Sequence, residues 1–544
     1  MNHLEAADYA VFLLYFILVS GYGYWVYHRR RSAETSTKDF FLAEGSLSWW
    51  AIGASLIASN ISAEHFIGMA GSGFAMGLAI SSYEWIAAAT LIIVAVWFIP
   101  IYLRNGIYTM PQFLAQRYND TVATIMAVFW LVVYVLVNLT SILYLGAIAI
   151  ESLAGIPFTV CTVGLAVFAI IITLGGMKVI GYTDVIQVVV LVCGGLVVTY
   201  LALDLVASKV GADGILGGLS ALNARADSHF HMYFEQNHPH YQTLPGLSLL
   251  TGGMWVNNLA YWGCNQYIVQ RALGADLKTA RSGILFAAFL KLLIPLIVVI
   301  PGIAAYVLFQ NGTFREAMLD PTGVVRPDNA YPVLMNLLPT GMKGLAFAAL
   351  TAAVVASLAG KCNSISTIFT LDIYKKFVDP QASERKLVQI GRWAVLGAFA
   401  IALVVAPMLR SFDQVYQYIQ EYTNFLTPGV FSIFLLGLFW KRTTTRAALT
   451  VALLTIPFST VLKFWPELMG LVGVEAAEIP FLHRTMWVFC LDVALMVVIT
   501  LTDPASRSAK GLIVDRQLFR VTPSFVAGSA LILGVLAVLY TVFW

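Results

Sequence analysis

The chain has 544 residues, of which 59% are hydrophobic and 11% charged, and its mean hydropathy is +0.80. Soluble domains carry about 25% charged residues, so the composition excludes a water-soluble globular protein and specifies one that crosses a membrane many times. The net charge of +3 excludes little by itself; the placement of the charges along the chain is what informs.

Apolar runs of about 20 residues, the length that spans a bilayer, fall at 7–27, 47–74, 79–103, 122–150, 157–175, 180–206, 246–265, 279–308, 341–374, 388–409, 414–438, 443–464, 484–502 and 522–543. They predict an all-α polytopic membrane protein of about 14 transmembrane helices. The first run has no basic stretch before it and Arg29, Arg30 and Arg31 after it, which predicts a retained signal-anchor with an outside amino terminus. Of the 32 basic residues, 22 fall in one set of alternate loops and eight in the other, with Lys291 and Lys361 inside helices. That bias predicts both termini to be extracytoplasmic.

Two long loops, 207–245 and 309–340, fall outside in this layout. The first holds His229, His231, His238 and His240; H-x-H spacing in a polar loop reads as solvated surface before it reads as a metal site. The five cysteines (Cys161, Cys193, Cys264, Cys362, Cys490) lie in or beside apolar runs without metal-like spacing and read as small buried hydrophobes.

The run 47–74 carries Ser59, Asn60, Ser62, Glu64 and His65 in its middle. A lipid-facing helix does not tolerate such a cluster. A helix interrupted at mid-membrane and turned to a wet cavity does. A second interruption is expected within 246–265, GLSLLTGGMWVNNLAYWGCN, where Gly252 and Gly253 precede Asn257 and Asn258. It falls five helices after the first. Two broken helices at corresponding places in two five-helix halves predict an inverted five-helix repeat core with its site at the midplane. The layout divides into an extra N-terminal helix and cytoplasmic linker (1–46), a first repeat (47–206), an extracytoplasmic loop (207–245), a second repeat (246–438) and three peripheral C-terminal helices (439–544).

A charge at a helix centre costs about 2.5–3.5 kcal/mol on insertion scales, so each needs a partner or a wet cavity. The candidates are Glu64, Glu84, Asp184, Lys291, Lys361, Glu421 and Asp492, with Asn138, Asn258, Asn363 and Gln420 as uncharged companions. Asp492, in a late peripheral helix, reads as an interhelical tie. Glu84 and Lys291, opposite charges on separate helices, read as ligand contacts. Amides, a carboxylate, a lysine and aromatic faces suit a polyol. An α-carboxylate ligand would call for a helix amino end or an arginine, and no arginine stands in the middle of a run. No nucleophile–base pair, phosphate-cradling glycine loop or basic tract is present, so neither an enzyme nor a nucleic-acid binder is expected.

These residues carry a resemblance. The stretches ASLIASNISAEHFIGMAGSG (54–73), SSYEWIAAATLIIV (81–94), VNLTSILYLG (137–146), TDVIQV (183–188), YWGCNQYIVQR (261–271), FAAFLKLLIPLIVVIPGIAAYV (286–307), STIFTLDIYKK (366–376), YIQEYT (418–423) and FLLGLFWKR (434–442) resemble the sodium:solute symporter family, and within it the sodium/glucose and sodium/galactose cotransporters. The resemblance implies a LeuT-like core of ten helices in two inverted repeats, with broken first and sixth core helices. It also implies sodium-coupled symport of a hexose, glucose or galactose, by alternating access, with sodium as the coupling ion and no organic cofactor. The family's sugar site maps onto Glu84, Asn258, Lys291 and Gln420, with His65, Asn60, Asn138 and Trp262 near. His65 stands where bacterial galactose-transporting members have glutamine and animal glucose-transporting members have histidine. Ala87 stands where the bacterial members have a sugar-binding serine. The inner gate maps onto Tyr261 and the outer gate onto Met69, Tyr83 and Tyr416.

The family's sodium site maps onto the carbonyls of Ala58, Ile61 and Ala353 and the hydroxyl of Ser357, while Ala356 replaces a second hydroxyl. Lys361 lies one turn after Ser357 on the same face. There it either stands in for the ion's charge, which would make the transporter proton-coupled or uncoupled, or pairs with Asp184 along the ion's route. A glucose-responsive sensor is a further alternative, against which the lack of a long cytoplasmic domain counts. The expected setting is a plasma membrane, the bacterial inner membrane, with sugar, sodium and the lipid bilayer as partners.

Overall fold

The computed structural model describes residues 4–29, 48–107, 109–175, 177–320, 322–412 and 415–544. Among them the chain is helical, with one isolated bridge, Leu319 to Val325, as its only extended pairing. A helix occupies each of the fourteen expected runs. Among the described residues nine helices are long and apolar enough to span a membrane, or ten if Val415–Thr423 and Thr427–Phe439, which meet at 45°, form one span. That count covers the described residues alone. Two of the expected runs, 47–74 and 246–265, are split into pieces of no more than 12 residues. The linker predicted within 1–46, and with it Arg30, Arg31 and Lys38, lies outside the described residues, as does the side chain of Asp184.

The first interruption is where the polar cluster places it. Trp49–Asn60 ends as the Ile61 N–H reaches back to the Ile57 carbonyl at 2.7 Å. Ser62 starts the second half. Its hydroxyl accepts from the Glu64 N–H at 3.2 Å and its carbonyl from the His65 N–H at 3.0 Å, which satisfies donors a helix start leaves open. The chain continues as a π-helical turn, Glu64–Met69, and a short helix, Ala70–Met76. Gly77, at φ +74°, then turns it towards Ser82–Ile93, a conformation that favours glycine.

The second interruption falls within 246–265 as expected, and the chain breaks there twice. The chain does break at Gly252, but Asn257 and Asn258 lie inside the unbroken helix Gly253–Cys264, and a further break falls at Asn265, before Gln266–Leu273. The reason is the Asn265 side chain. Its Oδ1 accepts from the Tyr267 N–H at 3.1 Å and from the Tyr134 hydroxyl at 2.8 Å, so a side chain replaces the helical bond, as an N-cap does.

The 34-residue helix Leu277–Gln310 packs on both halves of the first broken helix and on Ser82–Ile93. Small residues make this close approach possible. A Cβ on Gly53 would lie 2.6 Å from the Gly283 carbonyl, one on Gly73 would lie 2.9 Å from the Val299 carbonyl, and one on Gly302 would strike the Ala70 carbonyl. Lys291 sits between these two contact zones, level with the break.

The first helix is tied to the start of Met342–Thr367, and the C-terminal end to the first long loop. Asp8 Oδ1 accepts from the Gly341 and Gly344 N–H groups at 2.7 and 2.9 Å, and the Phe543 carbonyl accepts from the Met232 N–H at 2.7 Å. Two of the loop histidines are built in: His229 stacks on Tyr306 at 4.0 Å with Nε2 3.1 Å from the Phe74 carbonyl, and His238 stacks on Phe234 at 4.0 Å, whereas His231 is exposed. Burial holds His229 below the usual imidazole value. Among the described residues no three His, Cys, Asp or Glu side chains converge as a metal site.

Candidate functional site

A cavity of about 130 Å³ lies at the break of the first broken helix. Pockets for drug-sized ligands run to about 300–1,000 Å³, so this one suits a small polar solute. It brings together Asn60, His65, Glu84, Asn138, Asn258, Trp262, Lys291 and Gln420, with Tyr83, Tyr261, Tyr416, Ser357 and Lys361 also on its wall. Met69, Ala58, Ile61 and Ala353 do not line it; Met69 is fully buried behind it.

Its centre is an ion pair. Lys291 Nζ lies 2.5 Å from Glu84 Oε2, with both side chains almost wholly buried. Nζ also donates to Asn60 Oδ1 and stands 5.1 Å from the Trp262 ring centroid. Three donors thus meet a carboxylate, an amide oxygen and a π face. The other carboxylate oxygen of Glu84 is 3.4 Å from His65 Nε2. Asn60 Nδ2 donates to the Tyr261 hydroxyl at 3.2 Å, and the Tyr261 ring meets Trp262 edge-on at 5.2 Å. Polar contacts therefore run from Glu84 through Lys291 and Asn60 to the predicted inner gate.

On the other side the rings of Tyr83 and Tyr416 meet edge-on at 5.5 Å, and His65 lies 6.4 Å from Tyr416. Both tyrosines are buried. Gln420 takes a hydrogen bond from Asn257 Nδ2 at 3.1 Å, whereas Asn258 donates to its own helix at the Met254 carbonyl, 3.1 Å. Ala87 lines the cavity, so the missing serine hydroxyl is missing from its wall.

The donors expected for sodium fit a hard cation, which seeks several oxygens. With Trp49–Asn60 ending where it does, the carbonyls after Ile57 lack an intrahelical donor. Ser357 Oγ is buried without a hydrogen-bond partner. The helix that carries Ala353 and Ser357, Met342–Thr367, packs on Trp49–Asn60.

Two other membrane charges are placed away from the cavity. Glu421 binds Arg484 and, at 2.6 Å, Lys463, tying three helices together. Arg484, which opens the expected run 484–502, is the fourth residue of Phe481–Thr502 and is buried there. Asp492 is wholly buried among the C-terminal helices. Sequence reasoning missed Tyr134 and Asn265, and named Asn257 only at the expected interruption. For Tyr134 the signal was its position four residues before Asn138, on one helix face.

A profile of the sodium:solute symporter family matches residues 40–455. The chain belongs to that family. This symporter is 46% identical over 552 aligned residues, covering 99% of both chains, to a protein of Vibrio parahaemolyticus described as a sodium/glucose cotransporter. It is 33% identical to a sodium/myo-inositol cotransporter 2 of Oryctolagus cuniculus, over 93% of this chain and 78% of that one. Among solved structures it superposes with a TM-score of 0.73 and 21% identity on a Na+-coupled sialic acid symporter in a substrate-bound outward-open state, over 92% and 98% of the two chains. That likeness establishes the shared fold. The family is one of transporters, so this symporter is not an enzyme.

Proposed function

We propose that this symporter carries a hexose, glucose or galactose, together with sodium by alternating access, with the cavity at Lys291 as its sugar site. The observation that carries the reading is the buried Glu84–Lys291 pair, which offers one acceptor and one donor to hydroxyls inside a polar cavity of small-solute size. The 46% identity to a sodium/glucose cotransporter over nearly the whole of both chains supports the same class.

In this reading Glu84 accepts from sugar hydroxyls while Lys291, Asn60, His65 and the amides of Asn258 and Gln420 donate to or accept from the rest. Asn138 and Trp262 complete the wall. Tyr261 covers the sugar on one side, and Tyr83, Tyr416 and Met69 close the other. Entering hydroxyls exchange with contacts already made inside the site, so buried groups stay partnered through the cycle. Sodium is the co-substrate, held by the carbonyls of Ala58, Ile61 and Ala353 and the Ser357 hydroxyl. Its charge joins the first broken helix to Met342–Thr367, and coupling is the difference in each ligand's affinity for the two arrangements. Both termini are extracytoplasmic in a bacterial inner membrane, and the residue ranges of the two repeats are those read from the sequence.

Equilibrium binding of labelled glucose and galactose to the purified protein, in sodium and in choline, tests this. Binding that needs sodium and is lost in Lys291→Ala is expected. Equal binding by Lys291→Ala would remove the assigned site, and equal binding in choline would favour a coupling that dispenses with sodium.

A further inference from the structure

Lys361 projects from Met342–Thr367 into the same cavity and is buried there. Its ammonium donates to Asn138 Oδ1 at 3.3 Å and lies 4.9 and 4.8 Å from the ring centroids of Tyr134 and Tyr267. An amide oxygen and two π faces solvate a cation without neutralising it. Glu64, two residues after Ser62 in the second half of the first broken helix, lines the same cavity, and its carboxylate is the acidic charge acting on Lys361. Their interaction is electrostatic, with no direct ion pair between them among the described contacts, and Glu64 Oε1 is buried with no hydrogen-bond partner. Arg271 is a second cation acting on Lys361; it is tied to Ser55 Oγ at 3.0 Å and the Tyr267 carbonyl at 2.7 Å.

Both charges flank the proposed sodium donors. Lys361 is one helical turn beyond Ser357, and Glu64 is three residues beyond Ile61. The donor set is also one hydroxyl short, at Ala356. The net charge around an underfilled cation site then has more say in its affinity than the ligand count does.

We infer that Glu64 and Lys361 are an opposed charge pair that sets this symporter's sodium affinity, Glu64 attracting the ion and Lys361 acting as a tethered cation that competes with it. The inference rests on the sodium-coupled reading above. Neutralising either partner removes one term and leaves the other uncompensated, so the two substitutions act in opposite directions. At the effective dielectric of protein interiors, unit charges several ångströms apart shift an equilibrium by about tenfold or more.

The test is thermal unfolding of the purified full-length protein as sodium chloride replaces choline chloride at constant ionic strength. The sodium concentration needed for a fixed rise in unfolding temperature is expected to fall about tenfold in Lys361→Met and to rise about tenfold in Glu64→Gln. Lys361→Arg should stay near the wild type, and the double variant should return towards it. An unchanged sodium requirement in Lys361→Met, or shifts of both variants in one direction, overturns the inference. If Lys361→Met does not accumulate as folded protein, Glu64→Gln decides: a rise supports the pair and no change overturns it. A wild type and variants all blind to sodium would overturn the sodium-coupled reading itself.

Discussion

Lys291 and Glu84, 207 residues apart in the chain, meet as a 2.5 Å ion pair inside the cavity. Burying two charges is costly, and removing one partner strands the other at about 3–5 kcal/mol. Lys291→Ala is therefore expected to lower thermal stability and abolish sugar binding together. Lys291→Ala combined with Glu84→Ala should regain most of the stability without regaining binding. Thermal unfolding and equilibrium sugar binding of the three proteins check this; a stable, sugar-binding Lys291→Ala would contradict it.

Gln420 presents a milder case. Its hydrogen bond to Asn257 joins Val415–Thr423 to Gly253–Cys264, and one such bond contributes about 0.5–1.5 kcal/mol. Gln420→Ala should reduce sugar uptake with no change in the amount of protein in the membrane, measured by transport and quantitative blotting on the same vesicles.

The glycine contacts of Leu277–Gln310 give a packing test. Gly302→Ala forces a methyl group against the Ala70 carbonyl, and overpacking of this kind costs about 1–3 kcal/mol. Gly164→Ala is the control: nothing lies within 4 Å of its Cβ, and alanine favours the helix by up to about 1 kcal/mol. Thermal midpoints should fall for the first variant and hold or rise for the second.

Asp328, in the long loop before Ala330–Met335, gives a pH dependence. Burial, only partly offset by a backbone hydrogen bond from Val415 and the charge of Arg326, raises its carboxyl to about 7. Its Oδ1 has no hydrogen-bond partner, and it packs against Gly71 of the first broken helix. The folded value lies above the unfolded one, near 3.8, so the folded protein binds the extra proton between the two. The stability this contributes is complete below the unfolded value and is lost as pH rises to about 7, with a slope of up to about 1.4 kcal/mol per pH unit. Asp328→Asn should flatten that slope in thermal unfolding between pH 5 and 8, and a slope unchanged in the variant would contradict the assignment.

Much of this was legible in the sequence because a bilayer makes polarity expensive. Asn60, Glu84 and Lys291 stand out in apolar runs, and the structure gathers them in one cavity. The break at Asn265 was hidden because it depends on a side chain bonding to Tyr134, 131 residues earlier, a tertiary contact that local pattern does not encode. Gly252 drew attention as a glycine beside a glycine, whereas Asn265 stood only as the last residue of the run 246–265. The partners of Glu421 were hidden for a similar reason. Its partners Lys463 and Arg484 sit near the ends of later helices, and a run of hydropathy does not say which helix ends meet.

The most direct measurement is uptake of labelled glucose and galactose into proteoliposomes under an inward sodium gradient, then a proton gradient, then neither. Uphill accumulation on the sodium gradient alone, abolished by Lys291→Ala, is the expected result. Accumulation on protons alone, or simple equilibration that ignores sodium, would contradict the account.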